Sequence, residues 1–214
     1  MKSALELHNE SLDTNINKVD VYNKWAKSYD TYVESLDYNG PKNIVSYFQK
    51  LLKTNIVNNK KELKILDFGC GTGKVGEEIK KNINIKYFLE GVDISENMLE
   101  LAKQKNVYNK ITNIDLTKEK YNEKYDVILS SGVFLEGHVD IFNINRLCDL
   151  LNNNKGLIMF TIRNSFKETN KEDFLKYVIN NKKFRGVTIK DIEYLKDVKC
   201  TLVILSIWNP YQLV

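Results

Sequence analysis

Three glycines in five residues, Gly69, Gly71 and Gly73, follow an apolar run that carries a carboxylate at Asp67. Glycines so spaced let a backbone approach a bound molecule closely and adopt conformations that a Cβ forbids. Cys70 lies inside the same loop, where its small side chain is expected to pack rather than react. Two ligand chemistries compete for such a loop. Gly71-x-Gly73-x-x-Gly76 matches the dinucleotide pattern GxGxxG, and Asp93 follows at about 20 residues, where a ribose-binding acid belongs. Asp67 argues the other way. Beside a pyrophosphate it would repel, whereas beside an ammonium group it can form charge-assisted hydrogen bonds.

S-Adenosylmethionine carries an ammonium group and a sulfonium but no phosphate, and its ribose diol needs an acceptor such as Asp93. Asp115, after the third apolar run, stands where an acceptor for an adenine amino group would sit, unless it is only a turn residue. Methyl transfer is an in-line displacement at a carbon that the sulfonium makes electrophilic, so the cofactor supplies the hard chemistry. The chain must align a nucleophile and exclude water, and a dedicated base is optional. The groups placed to take a proton are Glu136 and, better, His138 in FLEGHVD, because histidine titrates near neutrality.

Those residues need a scaffold, and the periodicities supply one. Across 20–36, Tyr22, Trp25, Tyr29, Val33 and Leu36 recur at spacings of three and four, one stripe of an amphipathic helix with Asp20 as the expected N-cap. Gly40-Pro41 breaks that helix, and Pro41 opens a second one with Ile44, Val45, Phe48, Leu51 and Leu52 on its buried face. Short apolar strands are expected at 63–68, 87–92, 111–114, 125–129 and 157–162. Helices fit between them, including one capped by Ser95 and others around 141–151 and 172–181. The last two strands, 192–198 and 201–208, are separated only by Lys199 and Cys200, too few residues for a crossover, so they must form an antiparallel hairpin. The expected fold is α/β: a Rossmann-like, doubly wound parallel sheet that ends in an antiparallel hairpin. Residues 1–60 are expected to form a helical cap and 61–214 the core.

Composition narrows the classes further. In 214 residues, 43% are hydrophobic and 28% charged, which argues against disorder. The net charge, 32 − 28 = +4, is too small to indicate a nucleic-acid partner, and the lysines are spread along the chain. The short basic run at Lys182, Lys183 and Arg185 reads as a solvated surface. An Asn-Pro-Pro-aromatic tetrapeptide is absent after the fourth strand, and Asn209-Pro210-Tyr211 stands at the wrong place for one. Cys70, Cys148 and Cys200 form neither a CxxC pair nor a Cys/His cluster, so no metal or disulfide framework is expected and a reducing, cytoplasmic compartment fits. The start of the chain turns polar too early for a signal peptide, and no apolar run is long enough to span a membrane. A monomer or homodimer acting on a small molecule is expected.

The motifs ILDFGCGTG, GVDISENML, NIDLT and YDVILSSGVF resemble the successive motifs of class I S-adenosylmethionine-dependent methyltransferases. The resemblance covers most of the chain and implies seven strands, the last antiparallel. More narrowly, YNKWAKSYD, GKVGEEI, GVFLEGHV and LIMFTIRN resemble the Williams-Beuren-syndrome-region methyltransferase-like family. The resemblance implies that the amino-acid moiety of S-adenosylmethionine lies over Gly69, Cys70, Gly71 and Gly73, near Asp67. It implies Asp93, Ile94 and Met98 around the ribose and one adenine face, and Asp115 and Leu116 at the adenine edge. Ser130, Ser131 and Gly132 would face the methionine portion, and Tyr22, Trp25 and Tyr29 would belong to a helix folded over the cofactor. The alternatives left standing are an NAD-type oxidoreductase using Gly71 to Gly76, and a non-catalytic binding protein.

Overall fold

Leu63–Phe68 (β1) carries apolar side chains on both of its faces because both are covered. Leu63 and Ile65 enter one hydrophobic cluster, while Leu66 and Phe68 enter another on the opposite side of the sheet. The same period-two division separates Val127 and Leu129 from Ile128, and Leu157 and Met159 from Ile158 and Phe160. This is the signature of a parallel sheet sandwiched between helices. The computed structural model describes residues 2–54, 62–134, 138–152, 155–163, 171–196 and 198–208.

In chain order the elements are α1 (Ala4–Leu12), α2 (Lys18–Ser35), α3 (Gly40–Lys53), β1, α4 (Lys74–Asn82), β2 (Tyr87–Asp93), α5 (Glu96–Gln104) and β3 (Lys110–Asn113). They continue as β4 (Val127–Phe134), α6 (Ile144–Asp149), β5 (Leu157–Arg163), α7 (Lys171–Asn180), β6 (Gly186–Leu195) and β7 (Val198–Ser206). The seven strands lie in the order β3-β2-β1-β4-β5-β7-β6. All neighbours are parallel except β7, which runs antiparallel to both β5 and β6. The strand order reverses between β1 and β4, and ligands of such sheets bind in the crevice outside the carboxyl ends at that point.

Three local expectations are corrected. The hairpin reverses between Leu195 and Val198, not at Lys199-Cys200. Cys200 is fully buried and pairs with Ile192 on one side and Arg163 on the other, so it belongs to a central strand rather than a turn. The cap of α2 is Asn17, whose side chain accepts from the Val19 amide, while Asp20 lies inside the first turn and favours the helix dipole. A further helix, α1, precedes it, opened by a capping box in which Ser3 and Glu6 satisfy each other's backbone amides. The helix expected after Gly40-Pro41 forms as α3, and its Ile44, Val45, Phe48 and Leu52 are buried with β1 and β4 in one cluster.

Candidate functional site

The turn from β1 into α4 is built by backbone geometry before any side chain acts. Gly69, Gly71 and Gly73 have φ values of 68°, 53° and 94°. A Cβ on Gly69 would lie 2.3 Å from Val133 Cγ2, whereas one on Gly71 would meet nothing within 4 Å. The loop therefore packs tightly on its β4 side and leaves Gly71 facing open space. It is tied to the end of β2: the Cys70 amide donates to the Val92 carbonyl at 2.9 Å. The Gly71 amide donates to Asp93 Oδ2 at 2.8 Å, and Asp93 Oδ1 accepts from the Ser95 amide at 2.9 Å. Burial nevertheless raises the Asp93 carboxyl above its ordinary range, against those amide donors.

A cavity of about 470 Å³ opens above this turn. That lies within the roughly 300–1,000 Å³ of small-ligand and cofactor sites. Of the residues singled out from sequence, Tyr22, Tyr29, Gly69, Gly71, Asp93, Ile94, Met98, Asp115, Leu116, Ser131 and His138 line it, together with Gly132. They come from α2, the glycine turn, the ends of β2 and β4, and the segments after β2, β3 and β4. Met98 and Leu116 are buried and make an apolar wall. Tyr22 donates to or accepts from His138 Nε2 at 2.8 Å, joining α2 to the segment after β4, and burial holds the Tyr22 hydroxyl well above its ordinary pKa.

Five other expected residues lie around the cavity rather than on its wall. Asp67 is fully buried beneath the turn, where Tyr108 donates to its Oδ2 at 2.6 Å and Oδ1 has no partner among the described residues. Burial pushes its carboxyl from 3.8 up to about 7, with the Tyr108 hydrogen bond opposing and the Asp93 charge adding to the rise. Cys70 packs against Gly91, where a Cβ would come 2.9 Å from its Sγ, and burial raises the thiol well above its ordinary pKa. Gly73 serves as the N-cap of α4. The Ser130 hydroxyl turns inward and donates to the Phe68 carbonyl at 2.9 Å. Trp25 lines a smaller chamber behind the cavity.

The Asp115 carboxylate reaches the cavity edge, but its Oδ1 accepts from the Thr117 amide at 3.0 Å and its Oδ2 pairs with Lys118 at 3.0 Å. Those donors hold it below the usual carboxylate range, against partial burial. Glu136 and Asn209-Pro210-Tyr211 lie outside the described residues.

Sequence reasoning missed two tyrosines that shape the site. Tyr108, between α5 and β3, reaches under the glycine turn, so that a Cβ on Gly76 would lie 2.6 Å from its ring. Tyr38 bonds Ser131 Oγ at 2.8 Å and crowds Gly132, where a Cβ would come 2.8 Å from its hydroxyl. Neither has a local signal, because each acts on a turn remote in sequence. Gly76, the third glycine of the dinucleotide pattern, is small to make room for Tyr108 and Val107.

The geometry leaves room for a nucleoside: Gly71 faces open space and Asp93 stands at the end of β2 on the cavity wall, with Asp67 buried beneath the turn and its Oδ1 without a partner among the described residues. Among the described residues no group of three or more His, Cys, Asp or Glu side chains could hold a metal ion. None of the described helices is long and apolar enough to cross a membrane.

A seven-stranded sheet in this order, with β7 reversed, is the Rossmann-like fold of class I methyltransferases. The chain belongs to a methyltransferase-domain family, whose model matches residues 59–198. Over 115 residues it is 32% identical to a malonyl-[acyl-carrier protein] O-methyltransferase of Priestia megaterium, covering 53% of this chain and 39% of that one. Over 125 residues it is 30% identical to methyltransferase-like protein 27 of Homo sapiens, covering 57% and 49%. The matches thus span less than half the length of these curated relatives. Among solved structures, the plantazolicin methyltransferase BpumL in complex with a pentazolic desmethylPZN analog and SAH aligns over 94% of this chain and 97% of that one. Its TM-score is 0.60 at 17% identity, a likeness of fold. Magnesium protoporphyrin IX methyltransferase from Synechocystis PCC 6803 aligns with a TM-score of 0.57 at 18% identity, over 77% of this chain and 78% of that one.

Proposed function

We propose that this chain is an S-adenosylmethionine-dependent methyltransferase that acts on a small acceptor. The observation that carries the reading is the glycine turn bonded to Asp93 on the wall of one cavity, with a buried carboxylate below the turn. Gly76 supports the choice over a dinucleotide, since its missing Cβ is used to admit Tyr108.

In this reading the loop at Gly69 and Gly71 holds the amino-acid end, and Asp93 accepts the ribose hydroxyls. Ile94 and Met98 pack on the base, while Asp115 and Leu116 border its edge. Ser131 and Gly132 border the methionine portion, and α2 closes over it with Tyr22 and Tyr29. The cofactor, when bound, supplies a methyl group made electrophilic by its sulfonium. The chain's own work is to orient the acceptor and keep out water, and His138, fixed by Tyr22, takes a proton where the acceptor must lose one. Helices α1 and α2 act as the lid, and the narrower likeness to the Williams-Beuren-syndrome-region family rests on the short motifs quoted above.

The acceptors named for similar proteins differ widely, from a malonyl-[acyl-carrier protein] to magnesium protoporphyrin IX and plantazolicin. The test is transfer of label from methyl-labelled S-adenosylmethionine into separate pools of metabolites, protein and RNA. Label is expected in the metabolite pool. Label in protein or RNA alone would overturn the small acceptor, and no transfer to any pool by a protein that binds the cofactor would make it a binding protein.

A further inference from the structure

Behind Gly132 the cavity narrows into a second chamber of about 50 Å³, walled by residues of α1, α2, β5 and β6. A water needs roughly 10–15 Å³ of such volume, so the chamber admits about three or four water-sized atoms, the size of a carboxylate head. Its polar groups are one-sided. The half-buried Arg163 ends β5, and its Nη1 faces His8 Nε2 at 3.5 Å, a long contact. Burial and the guanidinium lower the His8 pKa from its ordinary value, while its Nδ1 bonds the Tyr32 hydroxyl at 2.7 Å. Among the described residues no carboxylate pairs with Arg163.

Trp25, 3% exposed, also lines this chamber. The tyrosines around it add no negative charge: burial raises Tyr22 well above its ordinary range, and pushes Tyr194 up to about 12. A guanidinium offers donors only, so an anionic acceptor is the partner that Arg163 lacks among the described residues.

We propose that the acceptor substrate carries a carboxylate, and that this chamber holds it through Arg163. The inference rests on the methyltransferase reading and deepens it by naming the class of acceptor. Arg163 stands at the end of β5, two strands from the glycine turn at the end of β1, a distance of about 10 Å. It therefore lies on the acceptor side of the crevice. The carboxylate is the anchor, because pairing with a guanidinium lowers the nucleophilicity of its oxygens. Aromatic walls from Tyr22 and Tyr29, shared by both spaces, suit a flat or apolar body spanning the two.

The experiment uses the full chain saturated with S-adenosylhomocysteine, with benzoate and its neutral isostere benzamide as probes, read by titration calorimetry and ligand-observed NMR. Benzoate is expected to bind about tenfold or more tighter than benzamide, the worth of one charge-assisted hydrogen bond. Arg163→Met should erase the difference and Arg163→Lys should restore part of it. Equal affinity of the two probes for the wild-type chain overturns the inference, whether or not the variants fold. So does an Arg163→Met protein that loses affinity for S-adenosylhomocysteine but keeps the preference for benzoate, since Arg163 would then serve the cofactor. A chain that binds no S-adenosylhomocysteine fails earlier, at the reading on which the inference rests.

Discussion

Asp67 gives a prediction whose size follows from its burial. Its carboxyl is shifted from 3.8 in the ordinary range to about 7, with removal from water as the largest cause. A raised acid pKa means that the folded state holds the proton more tightly than the unfolded state. The stability it contributes is therefore full below about pH 4 and is lost as pH rises through about 7. Between pH 5.5 and 8 the loss from this one group is about 2 kcal/mol, at 1.36 kcal/mol per pH unit over the part of the window below 7.

Asp67→Asn keeps an oxygen for the Tyr108 hydroxyl and removes the titration. Urea unfolding of both proteins at pH 5.5 and 8 should give a wild-type stability change more negative than that of the variant by about 2 kcal/mol. Parallel changes in the two proteins, equal within about 0.5 kcal/mol, would refute the claim that Asp67 carries this proton. The proposed cofactor adds a second sign. An ammonium group bound near Asp67 stabilises the ionised carboxylate, so cofactor affinity should rise from pH 6 to 8 in the wild type and stay flatter in Asp67→Asn.

Asp93→Ala should weaken S-adenosylhomocysteine binding by about a hundredfold or more, because charged acceptors are worth about 1.5–3 kcal/mol per bond; calorimetry checks it. Gly69→Ala and Gly71→Ala both carry a left-handed φ, a strain of about 1–2 kcal/mol, but only Gly69 adds a clash with Val133. Denaturant melts should therefore rank Gly69→Ala as the more damaging, and equal losses would contradict the packing described. Glu90 is fully buried and accepts from Thr112, Tyr121, Tyr125 and Lys110, so Glu90→Ala strands the buried Tyr125 hydroxyl and should cost about 1–3 kcal/mol in denaturant melts. Tyr22→Phe removes one partner of His138, and should shift the pH profile of turnover, which a pH series of the transfer assay checks.

The parts legible in the sequence were those specified locally. Gly69 and Gly71 need left-handed backbone, Ser95 caps α5 through the Met98 amide, and β1 is apolar on both faces, so each is visible within a few residues. The two-residue logic of the final hairpin was also right in kind, but its position was not. The alternation of Ile192 and Tyr194 with exposed neighbours runs to Leu195, and Cys200 reads as a turn only until its burial between two strands is known.

What could not be read was action at a distance. Tyr108 supports the glycine turn from 35 or more residues away, and Trp25, placed by its helix stripe with Tyr22 and Tyr29, faces the inner chamber instead of the main cavity. Arg163 ends an otherwise ordinary apolar strand, and only the absence of a carboxylate partner among the described residues gives it meaning.

Isothermal titration of the wild-type chain with S-adenosylhomocysteine and, separately, with NAD tests the central claim most directly. The cavity described here predicts saturable one-to-one binding of S-adenosylhomocysteine and no comparable heat from NAD. Saturable NAD binding with no response to S-adenosylhomocysteine or S-adenosylmethionine would contradict it.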